Sequence, residues 1–403
     1  MKIVDLNEFN TLIIGLLALI AGELFCRNIN ALKKLAIPSA VVGGLMVALL
    51  NYSLEHLFSI KLVFGAQLRD ILILVFFATL GFTARISALR SGGKPFIYLC
   101  IITVLLLVMQ NIIGIATALI TGAHPFYGLL AGSVSFVGGP GTALAWSKEA
   151  SAMGLEYAEL IALSAATFAV ASGAIVAGPV VAWIIKRHKL SATDKNAHSS
   201  VDVAAFTQPS VSFNSYKVSI AVAIIFLSVL MGMQLHEFAK AREVRIPAFL
   251  CALITAILIT NISDRVSIAL PSELINNTGE MALNVFLVIS MMSLKISAIG
   301  VVIVPLLSIV AIEILISVAI AYFILFRVLG KNYDAAVTVG GFLGYGISSM
   351  PVAMACMEQI TRRHGPSPRA ILVITLAGAF FVDIANAFIV KGFVSVIDYL
   401  PMP

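Results

Sequence analysis

Charge is what this chain has least of. Only 11% of its 403 residues are Asp, Glu, Lys or Arg, and 60% are hydrophobic; soluble domains carry about a quarter charged residues. A mean hydropathy of +1.04 exceeds what a water-soluble core can hide, which excludes a globular domain and points to an all-α polytopic membrane protein. A β-barrel is excluded as well, because the apolar runs are long and continuous rather than alternating over about ten residues. Histidine is scarce and unclustered, and HExxH, P-loop and GxSxG motifs are missing, so neither an enzyme nor an ATP-driven pump is expected. The four cysteines (Cys26, Cys100, Cys251, Cys356) lie in or beside apolar runs without CxxC spacing. They read as small buried hydrophobes, not as a disulfide framework or a transition-metal site. The net charge of +6 is spread between apolar runs, as topology determinants are, and makes no nucleic-acid patch. The first run, Phe9 to Phe25, lacks a basic leader and a small-residue cleavage site and reads as a retained span.

What the chain does have is long apolar runs. A span needs about 20 mostly apolar residues. Runs near 10–26, 37–54, 69–86, 96–121, 157–185, 217–236, 246–262, 279–294, 299–326 and 370–397 predict about ten transmembrane helices, five per half. Two segments are left over, near 126–147 and 333–357. Each is long enough to enter a membrane and return, but too broken by glycine and proline to cross as one helix. They read as re-entrant hairpins, with cores Ser135-Phe136-Val137-Gly138-Gly139-Pro140-Gly141-Thr142 and Gly341-Phe342-Leu343-Gly344-Tyr345-Gly346-Ile347-Ser348.

The halves also align with each other. Ala84-Arg85-Ile86-Ser87-Ala88-Leu89 matches Leu294-Lys295-Ile296-Ser297-Ala298-Ile299. Tyr127 matches Tyr333, Phe136 matches Phe342 and Gly138 matches Gly344. Ser172-Gly173-Ala174 matches Ala377-Gly378-Ala379, and Lys186 matches Lys391. An odd number of spans per half forces opposite orientations, so the expected architecture is two inverted-topology repeats, 1–187 and 217–403, each with one hairpin. The polar stretch 188–216 between them reads as a flexible linker. Lys and Arg in the loops, among them Arg27, Lys33, Lys34, Arg90, Lys186, Arg187, Lys195, Arg362 and Arg363, favour one side about two to one. That side is taken as cytoplasmic, with the linker there and both termini outside. Lys240, Arg242, Arg245 and Lys295 lie on the other side. Trp146 and Trp183 read as interfacial anchors.

Broken backbone at membrane depth is tolerated where it is buried in protein or lines a cavity. A hairpin tip supplies helix N-termini for a carboxylate and carbonyls for a small hard cation. The candidate substrate site is therefore Gly138, Gly139, Pro140, Gly141 and Thr142 with Gly344, Tyr345, Gly346, Ser348 and Ser349. Packing alone also explains glycines at helix crossings. Ionisable groups inside spans are costly and are kept for function, which makes Asp383, with Asn386 a turn away, the leading ion ligand. The carbonyls of Gly138 and Gly344 complete the candidate sodium set. Glu313, Gln110 and Asn111 are further intramembrane polar candidates, the amides being equally suited to holding helices together.

Arg69-Asp70, Phe76-Phe77-Ala78-Thr79-Leu80-Gly81, Met109-Gln110-Asn111, Gly138-Gly139-Pro140-Gly141-Thr142 with Ala145-Trp146-Ser147-Lys148, Gly330-Lys331-Asn332-Tyr333-Asp334-Ala335-Ala336-Val337 and Phe380-Phe381-Val382-Asp383-Ile384-Ala385-Asn386-Ala387 together resemble the bacterial sodium/glutamate symporter family. The resemblance runs through nearly the whole chain. It implies sodium-coupled uptake of L-glutamate across a bacterial inner membrane by a homodimer moving elevator-fashion, with sodium as coupling ion and no other cofactor. Pro140 stands where the family pattern has histidine, and Phe342-Leu343-Gly344-Tyr345-Gly346 stands for His-Cys-Gly-Phe-Gly. These departures keep a sodium/2-hydroxycarboxylate symporter open as an alternative. A passive channel is the other competing reading.

Overall fold

The computed structural model describes residues 2–29, 38–85, 93–191, 215–242, 244, 246–294 and 299–397. Most of the 188–216 linker, the basic residues Lys33, Lys34, Arg90, Lys195, Arg245 and Lys295, and the 86–89 and 295–298 parts of the internal match lie outside them.

The chain runs β1 Lys2–Asp5, α1 Glu8–Asn28, α2 Ser39–Phe58, β2 Ile60–Val63, α3 Gln67–Phe82, α4 Gly93–Ile120, α5 Pro125–Ala131, α6 Ser133–Phe136, α7 Gly139–Ala152 and α8 Ala158–His188. It continues as α9 Ser215–Lys240, α10 Ala248–Arg265, α11 Ser272–Met292 and α12 Ile299–Ala319. A π-helical stretch Ile320–Leu325 then leads into α13 Phe326–Val328, α14 Tyr333–Ile347, α15 Met350–His364 and α16 Pro368–Leu376. A second π-helical stretch, Ala377–Phe381, precedes α17 Val382–Ile397. Seven of the described helices are long and apolar enough to cross a membrane. Their outward side chains are apolar, as lipid requires: Leu17, Ile20 and Leu24 on α1 are all exposed. The molecule is an all-α polytopic membrane protein.

One feature outside that class is the parallel pairing of β1 with β2, in register from Lys2 opposite Ile60 to Asp5 opposite Val63. Four-residue strands beside long helices leave no periodic signal, and the sequence reading missed them. Asn51 braces the pair by accepting from Leu62 N (2.9 Å) and donating to Leu62 O (3.0 Å).

Two compact units divide the chain, and each draws on both sequence halves. The first comprises 1–84, 140–164 and 215–304. In it α3 packs on α10 and α11, α1 on α2, and α9 on α10, around Val75, Phe82, Ile225, Ala252 and Ile275. The Glu8 carboxylate caps α3 by accepting from Gln67 N (3.1 Å) and Leu68 N (3.0 Å), an anion at the positive end of a helix. Trp146 corrects an expectation here. It is fully buried, edge-on to Phe249 at 5.3 Å, because α7 turns it into the core of this unit; only Trp183 keeps an exposed ring.

The second unit comprises 85–139, 165–214 and 305–403. Helix α4 packs on α5 and α17, and α14 packs on α15 and α16. Both broken segments meet α4 in this unit, through α5 and α6 and through α14.

Candidate functional site

The second broken segment is a helix pair, α14 and α15, interrupted at Ser348-Ser349. Asn332 opens α14 by accepting from Ala335 N at 2.8 Å, a side-chain N-cap. Its two arms touch backbone to backbone: a Cβ on Gly344 would lie 2.3 Å from Ala353 Cα, so only glycine fits. The Gly344 carbonyl accepts from Ser348 N (3.1 Å) and Ser349 N (3.0 Å), which closes α14 and leaves the N-terminus of α15 at the tip. Gly173 and Gly378, matched by the internal repeat, both make room for this tip. Side chains there would overlap Ser348 Cβ (2.4 Å) and Met350. Ser348 is fully buried, and its hydroxyl has no partner among the described residues.

Tyr345 is fully buried and its hydroxyl meets Thr103 Oγ1 of α4 at 2.7 Å. Its ring lies edge-on to Phe342 at 5.6 Å. One residue on, the Gly346 carbonyl accepts from Gln110 Nε2 at 2.9 Å, and the same nitrogen meets Ser317 Oγ at 3.3 Å. Tyr345 and Gly346 therefore anchor α14 to α4.

The first broken segment starts at His124, whose Nδ1 accepts from Phe126 N at 3.2 Å. Partial burial holds this imidazole below its ordinary pKa, in keeping with an acceptor nitrogen. The segment breaks at Gly132 between α5 and α6 and again at Val137-Gly138. Asn111 Oδ1 accepts from Ser133 N (3.2 Å) and from Ser133 Oγ (2.8 Å). Asn386 of α17 completes a clamp: its Oδ1 accepts from Ser133 Oγ at 2.7 Å, and its Nδ2 donates to Ser133 O at 3.1 Å. At the tip, Gly139 has φ +64°, with open space where a side chain would stand, a left-handed conformation suited to glycine.

Beyond the tip the chain enters the first unit. Gly141 packs against Leu283 and Phe76, and Thr142 is buried. Lys148 at the far end of α7 pairs with Asp70, and Arg69 pairs with Glu159 at 3.0 Å. Beside these pairs is a cavity of about 130 Å³, with Leu144, Phe249, Phe286 and Ser290 in its wall.

Asp383 and Asn386 follow the second π-helical stretch directly, a distortion that recurs at functional sites. Asp383 is half-buried and no described residue donates to its carboxylate. Asn386 is buried, with both side-chain ends engaged by Ser133. Gln110 and Asn111 sit side by side on α4, one tied to the second broken segment and the other to the first. Glu313 is fully buried on α12, and neither carboxyl oxygen has a partner among the described residues. Among the described residues no His/Cys/Asp/Glu group could hold a transition metal. The unpartnered buried atoms here are Asn111 Nδ2 and the oxygens of Gln110, Glu313 and Ser348, and oxygens suit a small hard cation.

Ser133, Thr103 and Ser317 were missed in the sequence. Ser133 lies only two residues ahead of the glycine-rich run, but a hydroxyl in an apolar segment carries no mark of a partner 253 positions away.

A family model described as "Sodium/glutamate symporter" matches residues 4–366 of the chain. The chain is 34% identical over 398 residues to a Haemophilus influenzae protein named sodium/glutamate symporter, covering 98% of each. It is 35% identical over 391 residues to an Escherichia coli protein of the same name, covering 96% of this chain and 97% of that one.

Proposed function

Because the chain belongs to the sodium/glutamate symporter family, we propose that it is a secondary transporter coupling sodium entry to the uptake of L-glutamate by alternating access. The observation that carries this reading is the match to two proteins of that name over nearly their whole lengths. Within the fold, two broken helices braced from one helix support it, since such breaks are where carriers of this kind bind their ligands.

The substrate carboxylate is received at the N-terminus of α15, where backbone N–H groups and the Ser348 and Ser349 hydroxyls favour an anion. Sodium is held by the Asp383 carboxylate with carbonyl oxygens released at the breaks. Asn386 acts one step back, by fixing Ser133. Both ligands stabilise the same closed arrangement, so each raises the affinity for the other. The inverted repeat is supported by the division into units: 1–84 goes with 215–304, and 85–139 with 305–403, so each unit takes corresponding parts of the two halves. About ten spans, re-entrant hairpins, an inner-membrane location with both termini outside, a homodimer and elevator-type movement complete the proposal.

The full burial of Tyr345 and its bond to Thr103 favour glutamate over a 2-hydroxycarboxylate. That departure from the family pattern lies in the packing between helices. The test is uptake of labelled glutamate into proteoliposomes with and without a sodium gradient, with citrate and malate as competitors. No sodium-dependent accumulation of any acidic solute would sink the proposal. Asp383→Asn should raise the sodium half-saturation about tenfold, equivalent to ~1.4 kcal/mol of lost binding; an unchanged value removes Asp383 from the site.

A further inference from the structure

Glu313 has no part in the scheme above, yet it is fully buried on α12 with both carboxyl oxygens unpartnered among the described residues. An ionised carboxylate in that position would be desolvated and without a partner among the described residues, which the neutral acid avoids. One turn along the same face is Ser317, whose hydroxyl donates to the Glu313 carbonyl at 2.8 Å and meets Gln110 Nε2 at 3.3 Å. Gln110 Oε1 is the other unpartnered buried acceptor of this cluster. Ser317 spends its one hydrogen on the Glu313 carbonyl, and a protonated Glu313 is the side chain one turn away that carries a further O–H. Gln110 in turn holds the Gly346 carbonyl, two residues before the Ser348-Ser349 break.

We propose that Glu313 is a proton-binding group that controls the second broken segment through Gln110. As the neutral acid it leaves the Gln110 Nε2 donor on Gly346. When it loses its proton to the aqueous phase, the carboxylate competes for that donor, and α14 loses its tie to α4. Helices α4 and α14 pack on the π-helical end of α12, and α8 meets it through Trp183 and His188, a ring nitrogen of His188 lying 3.3 Å from the Tyr322 hydroxyl. Helix α4 brings Lys94 in its first turn, then Tyr98 and Cys100; α14 brings Tyr333 and Asp334 in its first turn, and Tyr345, whose hydroxyl is on Thr103. Helix α8 brings Glu159 in its first turn and Lys186, Arg187 and His188 in its last, so the charges of all three helices lie at their ends, and Tyr322 is the titratable group on the π-helical stretch itself.

This inference rests on the carrier reading, and one experiment separates the two. Sodium-driven glutamate uptake at about pH 6 tests the carrier alone, and the pH response tests Glu313. Above the midpoint of the acid the neutral fraction falls about tenfold per pH unit, and uptake by the unmodified protein should fall with it. Glu313→Gln, a permanent mimic of the neutral acid, should match it at acid pH and stay flat as pH rises. Glu313→Asp, which keeps an ionisable group, should keep the fall. Melting temperature and monodispersity establish that each variant is folded, and the infrared band of a buried neutral carboxyl, lost in Glu313→Gln, gives a reading independent of transport. Identical pH profiles for the unmodified protein and Glu313→Gln overturn the proposal. So does a folded Glu313→Gln protein inactive at every pH, or one whose only change is lower sodium cooperativity, which would make Glu313 a sodium ligand.

Discussion

Ser133→Ala removes a single hydroxyl that two buried amide oxygens share. Its one hydrogen points to Asn111 Oδ1 at 2.8 Å or to Asn386 Oδ1 at 2.7 Å. After the substitution Asn111 Oδ1 keeps the Ser133 backbone N–H at 3.2 Å, while Asn386 Oδ1 loses its donor. A buried acceptor left unpaired costs about 1–3 kcal/mol, and polar pairs between transmembrane helices average about 0.6 kcal/mol. We expect Ser133→Ala to cost about 1–2 kcal/mol. Asn386→Ala also strips the donor from Ser133 O and should cost about 2–3 kcal/mol. In the double variant the stranded oxygen of Asn386 no longer exists, so the combined loss should fall short of the sum by about 1 kcal/mol. The measurement is reversible denaturation of the purified protein in detergent for all four species, with uptake in parallel. Additivity within about 0.3–0.5 kcal/mol would refute the clamp and leave Asn386 available to a ligand.

Gly344→Ala pushes a methyl group to 2.3 Å from Ala353 Cα; with backbone on both sides it should lose about 1–3 kcal/mol or more, read as lower melting temperature and lost uptake. Arg69→Gln breaks a partly exposed pair whose side chains are 17% and 30% accessible, so the loss should stay within about 1 kcal/mol and shrink at high salt. His124 loses protons more readily folded than unfolded, because burial lowers its pKa from 6.5. Stability should therefore decline as pH falls through that value toward the lower folded one. His124→Asn, a cap that does not titrate, should remove that part of the decline in a pH series of melting temperatures.

The long apolar runs were legible because lipid imposes one rule on every span; a described helix overlaps each run named from the sequence, and seven of the described helices are long and apolar enough to cross a membrane. The two breaks were legible for a related reason. Glycine clusters are rare inside apolar helices, and Gly139 with its positive φ and Gly344 with its backbone contact each require the residue found there. What stayed hidden depends on distant partners. Nothing local marks Ser133 as the partner of Asn386, or Tyr345 as the partner of Thr103. Trp146 was misplaced because a tryptophan near a hairpin end has the same local sequence whether it faces headgroups or a core. The π-helical stretches before Asp383 and Phe326 arise from how a helix meets its neighbours, so hydropathy did not reveal them either.

Gln110 and Asn111 are consecutive residues of α4, and each fastens a different broken segment, at Gly346 and at Ser133. Two points pinned to adjacent positions of one rigid rod form a fixed ruler. At about pH 6, where Gln110 stays on Gly346, spin labels or fluorophores beside Ser133 and Gly346 should report the same separation with and without sodium or substrate. Pairs that use either point and a position beyond its own tether can change. That invariant distance gives spectroscopic work on this protein an internal standard against which the length changes of a transport cycle can be calibrated.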